Sequence, residues 1–139
     1  MISVESIGYY SDRPGSQQYP LAAFAWIFPS RGDFIARSAT SPRARCSPRR
    51  SKAFAARARC RQGGAAVPAS IPGVGWSDHW AFWQEGYPAI MATGTAPFRN
   101  PSYHTADDRA ETLDYDRLTH AVDGIAGGVE RQIKLARSR

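Results

Sequence analysis

Residues 118–133 read LTHAVDGIAGGVERQI, and the spacing of their apolar side chains is the strongest structural signal in this sequence. The apolar residues follow each other at steps of 3, 1, 3, 1, 3 and 4, and they are Leu118, Ala121, Val122, Ile125, Ala126, Val129 and Ile133. Such steps bring side chains onto one face of an α-helix. Asp114 lies just before this run, and aspartate is a favoured N-terminal cap. The pattern therefore predicts an amphipathic C-terminal helix that packs against another layer.

Two strands are predicted before this helix. Residues 2–10 are rich in β-branched and aromatic side chains and end at a turn, which is typical of a strand. Residues 88–93 form a short apolar run, which predicts a buried strand. A short helix over residues 80–85, capped by Ser77 or Asp78, precedes the second strand. Together these elements predict an α/β chain with its strands packed against the terminal helix.

The size and composition of the chain exclude several classes of protein. With 139 residues there is room for one domain. The longest apolar stretch, residues 21–28, is much shorter than the roughly 20 residues of a membrane-spanning helix. The first thirty residues lack a basic start followed by an apolar block, so we expect no signal peptide. Cys46 and Cys60 are too few for a disulfide framework, and they leave the cellular location open.

The net charge of +6 originates in the middle of the chain. Residues 34–77 contain nine Lys and Arg side chains and no acidic residue, so the remainder is net negative. Residues 36–64 also lack apolar spacing typical of a helix or a strand, so no element is predicted there. A basic arm for nucleic acid and a solvated insert without a role are two interpretations of this segment, and Phe54 alone gives the arm no stacking platform.

Acidic and imidazole side chains suggest metal chemistry at two places. Glu5 belongs to the first predicted strand, and a polar loop over residues 95–111 contains His104. Zn²⁺ binds nitrogen from histidine and oxygen from aspartate or glutamate. Taken alone, the two residues are more typical of a solvated strand position and a hydrogen-bonded loop. Residue type by itself therefore does not predict a metal site.

Several sequence blocks resemble the C-terminal part of peptidase family M28, a family of zinc-dependent aminopeptidases. The late blocks are SDHWAF (77–82), GYPAI (86–90), APFRNP (96–101), YHT (103–105) and ETLDY (111–115). The early blocks are VESIGYYS (4–11), PGS (14–16) and FPSRGDFI (28–35), and all of them follow the family's order. The resemblance implies a zinc-aminopeptidase-like (phosphorylase/hydrolase-like) mixed-sheet domain. Residues 1–139 would be one partial domain of this kind, with an anomalous basic segment at about 36–64. Because the resemblance is lost at the start of this segment and recovered after it, we favour a pair of compensating frameshifts over the nucleic-acid arm and the solvated insert.

The resemblance also implies roles for individual residues. The family's site holds two zinc ions, and by position Glu5 and His104 correspond to two of the metal ligands. Tyr103 would stabilise the oxyanion of a tetrahedral intermediate, and Asp78 would lie near the substrate amine. Asp108 is expected to orient His104. His79 matches no family ligand and is expected to pack or hydrogen-bond locally.

The family's other functional residues have no counterpart in this sequence. Its His-x-Asp motif, bridging Asp and Glu-Glu pair precede the strand that carries Glu5, so we expect them upstream of Met1. The expected activity is zinc-dependent hydrolysis of N-terminal peptide bonds in a peptide substrate, with this chain truncated and inactive alone. The rival hypothesis is a non-catalytic fragment that acts as a binding module. No membrane partner is expected, and nucleic acid is disfavoured.

The frameshift hypothesis gives a prediction for the gene. Shifting the reading frame near Ala36 and restoring it near Gly64 should yield acidic residues and helical apolar spacing, because a packed domain needs an amphipathic element there. Translation of the nucleotide sequence in all three forward frames tests this. Stop codons or an equally basic amino-acid sequence in every frame would favour a genuine insert and strengthen the nucleic-acid alternative.

Overall fold

A mixed β-sheet lies at the centre of the described residues. The structure is a computed structural model that describes residues 1–39, 61–66 and 70–137. Its four strands are β1 (Ile2–Glu5), β2 (Phe34–Ala39), β3 (Arg61–Ala66) and β4 (Ile90–Thr93), and their order in the sheet is β1-β4-β2-β3. β1 runs parallel to β4, β4 antiparallel to β2, and β2 parallel to β3. The predicted mixed α/β architecture is confirmed, whereas the finer fold assignment stays a prediction.

Two α-helices of the described residues accompany the sheet. They are α1 (His79–Gln84) and α2 (Tyr115–Arg137), and short 3₁₀ turns lie at Ala22–Trp26, Ala96–Phe98 and Ala110–Thr112. The backbone N–H of Arg117 donates a hydrogen bond to Asp114 Oδ1 at 2.9 Å, so the predicted cap of the terminal helix is confirmed. Within the described ranges, no helix combines the length and apolar character needed to cross a membrane.

The apolar face of α2 packs on one face of the sheet. Ile7, Ile35, Ala92 and Ala121 form the buried core there, and Tyr10, Leu118 and Ile125 pack around them. Successive residues of a strand point to opposite faces. Phe34, Met91 and Thr93, the neighbours of these core residues along β2 and β4, therefore lie on the other face. That second face lines a cavity.

Three local predictions differ from the structure. β1 ends at Glu5 and not at residue 10, because Ser6 takes a positive φ of 50° and turns the chain toward the core. α1 spans His79–Gln84 and so begins and ends one residue before the predicted bounds of 80–85. Asp78 makes no side-chain capping bond, and the Ser77 hydroxyl is hydrogen-bonded to Glu5. The capping prediction is therefore wrong.

The basic middle of the chain contains strands at its ends that were not predicted. Residues 36–39 belong to β2 and residues 61–66 are β3. β2 could not be predicted from the sequence pattern, because Phe34 and Ile35 are buried on opposite faces of the sheet. Its apolar and polar residues therefore do not alternate. Residues 40–60, on which the frameshift hypothesis chiefly rests, lie outside the described residues.

Shortening a deeply buried core side chain tests this packing. Ile35, only 2% exposed, contacts the layer formed by α2, and Ile35→Ala should lower the free energy of unfolding by about 2–5 kcal/mol. Ile27→Ala is the matched control, because Ile27 is 73% exposed, and it should change that free energy by less than about 0.5 kcal/mol. Urea denaturation followed by circular dichroism measures both. Equal effects of the two substitutions would contradict the core assignment.

Candidate active site

The carboxylate of Glu5 lies at the end of β1 and is held by Ser77. Ser77 Oγ donates a hydrogen bond to Glu5 Oε1 at 2.7 Å, and the same hydroxyl is hydrogen-bonded to Ser3 Oγ. Ser3 and Glu5 are two positions apart on β1, so their side chains share a face of the sheet. Sequence reasoning assigned Ser77 only a capping role. The SDHWAF block was the signal that it belongs to the site.

A glycine fixes the backbone next to Glu5. In the parallel pair, Glu5 is in register with Thr93, so β1 and β4 end together at one edge of the sheet. The Gly94 N–H donates a hydrogen bond to the Glu5 carbonyl oxygen at 3.0 Å. A Cβ atom on Gly94 would lie 2.1 Å from the backbone oxygen of Ser6. Only glycine permits this close approach of the two chain segments.

Tyr103 and His104 lie on the loop between β4 and α2. His104 is exposed and takes a positive φ of 61°, a conformation that side-chain-bearing residues seldom adopt. Its imidazole stacks on the Tyr103 ring, with 3.9 Å between the centroids and 18° between the planes. This stacking contact restricts the orientation of both rings.

The predicted partner of His104 is engaged elsewhere. Asn100 Nδ2 donates a hydrogen bond to Asp108 Oδ1 at 3.0 Å, and Asn100 Oδ1 accepts one from the Ser102 N–H at 2.9 Å. Asn100 is buried, so the amide needs these bonds. Asp108 therefore braces the loop through Asn100, which corrects the expectation that it orients His104 directly.

A cavity of about 430 Å³ lies on the face of the sheet opposite α2. Glu5 and Tyr103 both line it, so the structure brings these two predicted site residues to one cavity. Among the described residues, His104 and Asp78 do not line it. Most of the wall is apolar, and its larger side chains include Tyr19, Phe24, Phe28, Phe34, Met91 and Phe98.

A buried arginine connects the loops around this cavity. Arg99 is 6% exposed; its Nε donates a hydrogen bond to Gln17 Oε1 at 3.0 Å, and its guanidinium lies 4.8 Å from the centroid of Phe34. Thr95 Oγ1 donates to the same oxygen of Gln17 at 3.0 Å. Burial lowers the pKa of Arg99 to about 10, which leaves it charged at neutral pH. Sequence reasoning gave neither Arg99 nor Gln17 a role, although Arg99 lies in the APFRNP block.

Asp78 and His79 have different environments although they are neighbours. Asp78 is exposed at the start of α1. His79 is fully buried; its Nε2 lies 2.7 Å from the Val74 carbonyl oxygen, and its ring meets Trp83 edge-on at 4.3 Å between centroids. The prediction that His79 packs and hydrogen-bonds locally is confirmed.

The donor atoms of the described residues are too few for a closed zinc site. Glu5 and His104 offer the oxygen and nitrogen atoms that zinc binds, but a protein site uses three or four such ligands. The described ranges contain no group of three or more His, Cys, Asp or Glu side chains arranged to hold a metal. These residues alone therefore do not fit the two ions that the resemblance implies.

Comparison with known proteins identifies the family. The model of peptidase family M28 matches residues 33–129, and the chain belongs to that family. A protein of Escherichia coli (strain K12) named "Uncharacterized protein YfbL" is 40% identical over 125 residues. The match covers 90% of this chain and 39% of the E. coli protein, so the chain spans well under half the length of this relative. No solved structure gives a significant match.

The contact at Gly94 yields a stability prediction for the site. Gly94→Ala should lower the free energy of unfolding by about 1–3 kcal/mol or more, because the methyl group would displace the Ser6 backbone. Gly8→Ala is the matched control, since its methyl group would meet only the flexible end of Leu113, at 3.2 Å. Denaturant midpoints compare the two variants. A cost for Gly94→Ala no larger than that of the control would show that the two segments are not held together.

Proposed function

We propose that this chain supplies one part of a zinc-dependent aminopeptidase site that hydrolyses N-terminal peptide bonds, with Glu5 and His104 as metal ligands. One observation carries the proposal: Glu5 and Tyr103, 98 positions apart in the sequence, line the same cavity. His104 follows Tyr103 and stacks on it. Membership of peptidase family M28 supports the reaction class.

The contacts of Glu5 and His104 leave a donor atom on each side chain available for a metal. Ser77 holds Oε1 of Glu5, and Oε2 has no hydrogen-bond partner within the described part of the chain. The imidazole of His104 is exposed, and neither of its nitrogens has a hydrogen-bond partner among the same residues. Each side chain thus offers a zinc donor atom while another contact restricts its orientation. Zinc held by these residues together with further ligands would polarise a carbonyl group and lower the pKa of a bound water.

Tyr103 and Asp78 are assigned to the substrate. The Tyr103 phenol can donate a hydrogen bond to the oxygen on which negative charge develops during attack on the peptide bond. Asp78 is exposed and directly follows Ser77, the residue that holds Glu5, so its carboxylate is assigned to the substrate's ammonium group. The sequence contains no Glu-Glu pair to act as general base. We therefore expect no appreciable hydrolysis by this chain alone.

Zinc titration of the purified chain tests the ligand assignment. We expect weak zinc binding by calorimetry, because two protein ligands leave most of the coordination shell to water. His104→Ala should weaken it by about ten-fold or more, and Glu5→Gln, which removes the charge, should also weaken it. His120→Ala is the matched control, since His120 lies on α2, away from this loop.

Two outcomes would count against these assignments, and a third would change the expected activity. Zinc affinity unchanged in both His104→Ala and Glu5→Gln would refute the proposed ligands. Equal losses in the His120→Ala control would show that zinc binds exposed histidines without selectivity. Hydrolysis of an aminoacyl anilide by the unmodified chain, abolished by a chelator and by His104→Ala, would overturn the expectation of inactivity while supporting the reaction class.

A further inference from the structure

We propose that the outer face of α2 is a dimerisation surface, on which a second copy of this chain packs its own α2 in the antiparallel direction. The surface is a line of five exposed apolar side chains, which we call the outer stripe: Tyr115, Val122, Ala126, Val129 and Ile133. α2 packs on the face of the sheet opposite the cavity, so the dimer does not depend on the proposed function.

The apolar residues of α2 point in two directions. Leu118, Ala121 and Ile125 belong to the core on the sheet. The residues of the outer stripe follow each other at steps of 7, 4, 3 and 4, so they form a single line along the helix, beside the buried residues. Its four larger side chains are 38% to 56% exposed. The apolar face of α2 is therefore wider than the described sheet covers, and exposed apolar surface of this kind marks an interaction site.

The hydroxyl groups of the outer stripe and its border already have hydrogen-bond partners within the chain. The Tyr115 hydroxyl donates a hydrogen bond to the Ala110 carbonyl oxygen at 3.1 Å. Thr119, at the border of the stripe, donates its hydroxyl to the Tyr115 carbonyl oxygen at 2.9 Å. A partner that covers the stripe would therefore bury no unpaired hydroxyl, and the apolar area removed from water would stabilise the complex.

The order of charges along α2 favours an antiparallel copy of the same helix. Asp116 and Asp123 lie in its first half, Lys134 and Arg137 lie in its last turn, and all four side chains are exposed. Antiparallel pairing brings the acidic half of each helix beside the basic end of the other, and it also opposes the two helix dipoles. Parallel pairing would instead bring like charges together.

One two-fold axis near Ile125 satisfies the apolar and the charged contacts together. Three pairs of residues have their midpoints at positions 124 to 126, and they are Tyr115 with Ile133, Asp116 with Lys134, and Val122 with Val129. The members of the first two pairs are 18 residues apart, which is about five full helical turns, so each pair shares one direction around α2. A two-fold contact then sets apolar residues level with apolar residues and acid level with base. Glu130 is level with position 120 of the other copy, three residues from Asp123.

A different polypeptide is the competing occupant of the outer stripe. The matched region is 39% of the E. coli relative, so a segment equivalent to the remainder of that protein is an alternative partner. The order of charges favours a second copy, because it is complementary to the same helix reversed. The oligomeric state of the chain alone decides between the two occupants.

Sedimentation velocity of the purified full chain, under reducing conditions and at a series of concentrations, tests the proposal. The outer stripe is about 27 Å long, so its pairing covers less area than a standard interface, and we expect half-dimerisation at about 10 to 100 µM. The product should be a dimer and nothing larger, because a two-fold contact is closed. A chain that stays monomeric up to about 1 mM would overturn the proposal in favour of the competing occupant.

One substitution separates the outer stripe from other exposed apolar surface. Val122→Glu places a carboxylate in the middle of the stripe and should raise the dissociation constant of the dimer about ten-fold or more, because burial of an unpaired charge is costly. Ile27→Glu is the matched control, since Ile27 is 73% exposed and lies outside α2, and it should leave the dissociation constant unchanged. Equal dissociation constants of the two variants would contradict the assignment of the surface.

Two charge variants test the direction of pairing, and they also serve if Val122→Glu loses its circular dichroism signal. One combines Asp116→Lys with Asp123→Lys, and the other combines Lys134→Glu with Arg137→Glu. Each variant alone should dimerise about ten-fold more weakly than the unmodified chain, because each helix now repels its reversed copy. An equimolar mixture should form a heterodimer. Unchanged dimerisation of each variant alone, or a mixture that associates no better than its components, would overturn the antiparallel pairing.

Discussion

The parallel pairing of β1 with β4 determines the rest of the site. It brings Glu5 level with Thr93, so β1 and the strand that precedes the loop of Tyr103 and His104 end at the same edge of the sheet. Gly94 then allows the chain after β4 to pass against the Ser6 carbonyl, closer than any larger residue would permit. From that edge the chain continues through Ala96–Phe98 to Tyr103. Without this register, Glu5 and Tyr103 would not share a cavity.

The two faces of the sheet have different roles: one packs against α2 and the other lines the cavity. Ile35 and Ala92 face α2 and supply the stabilising core, whereas Phe34 and Met91, their neighbours in the chain, face the cavity. A short sheet can carry both because alternate side chains point in opposite directions. The face that binds α2 is well buried, and the other face leaves aromatic surface that the described residues do not cover. Stability and the candidate site therefore depend on different residues of the same strands.

Local patterns predicted those elements whose structure is decided by neighbouring residues. The spacing in residues 118–133 and the Asp114 cap were enough for the terminal helix, and the apolar run before Thr93 was enough for β4. β2 could not be predicted in this way, because its two faces are both buried. The end of β1 is set by contact with Gly94, which lies 89 positions later in the sequence. No local pattern contains that information.

The candidate site was harder to predict than the strands and helices, because it is formed by contacts between residues that are distant in the sequence. Glu5 and Tyr103 came from the family resemblance, since a lone carboxylate and a lone phenol carry no spacing signal. Family resemblance also gave no account of how the site is braced. The bonds of Ser77 to Glu5 and of Asp108 to Asn100 follow from the packing of loops, and each replaced a simpler expectation for the residue concerned.

The buried guanidinium of Arg99 has a consequence for the local stability of the loops around the cavity. Its Nε is bonded to Gln17, its Nη1 lies 3.5 Å from the Tyr9 carbonyl oxygen, and Gln18 N–H donates to the Phe98 carbonyl oxygen at 2.7 Å. Releasing any one of these loops would leave a charge in an apolar environment with fewer partners, which is costly. Partial opening is thus less favourable than opening of all the loops together. The backbone amides of these loops should therefore exchange their hydrogens with one common opening free energy, as a single cooperative unit.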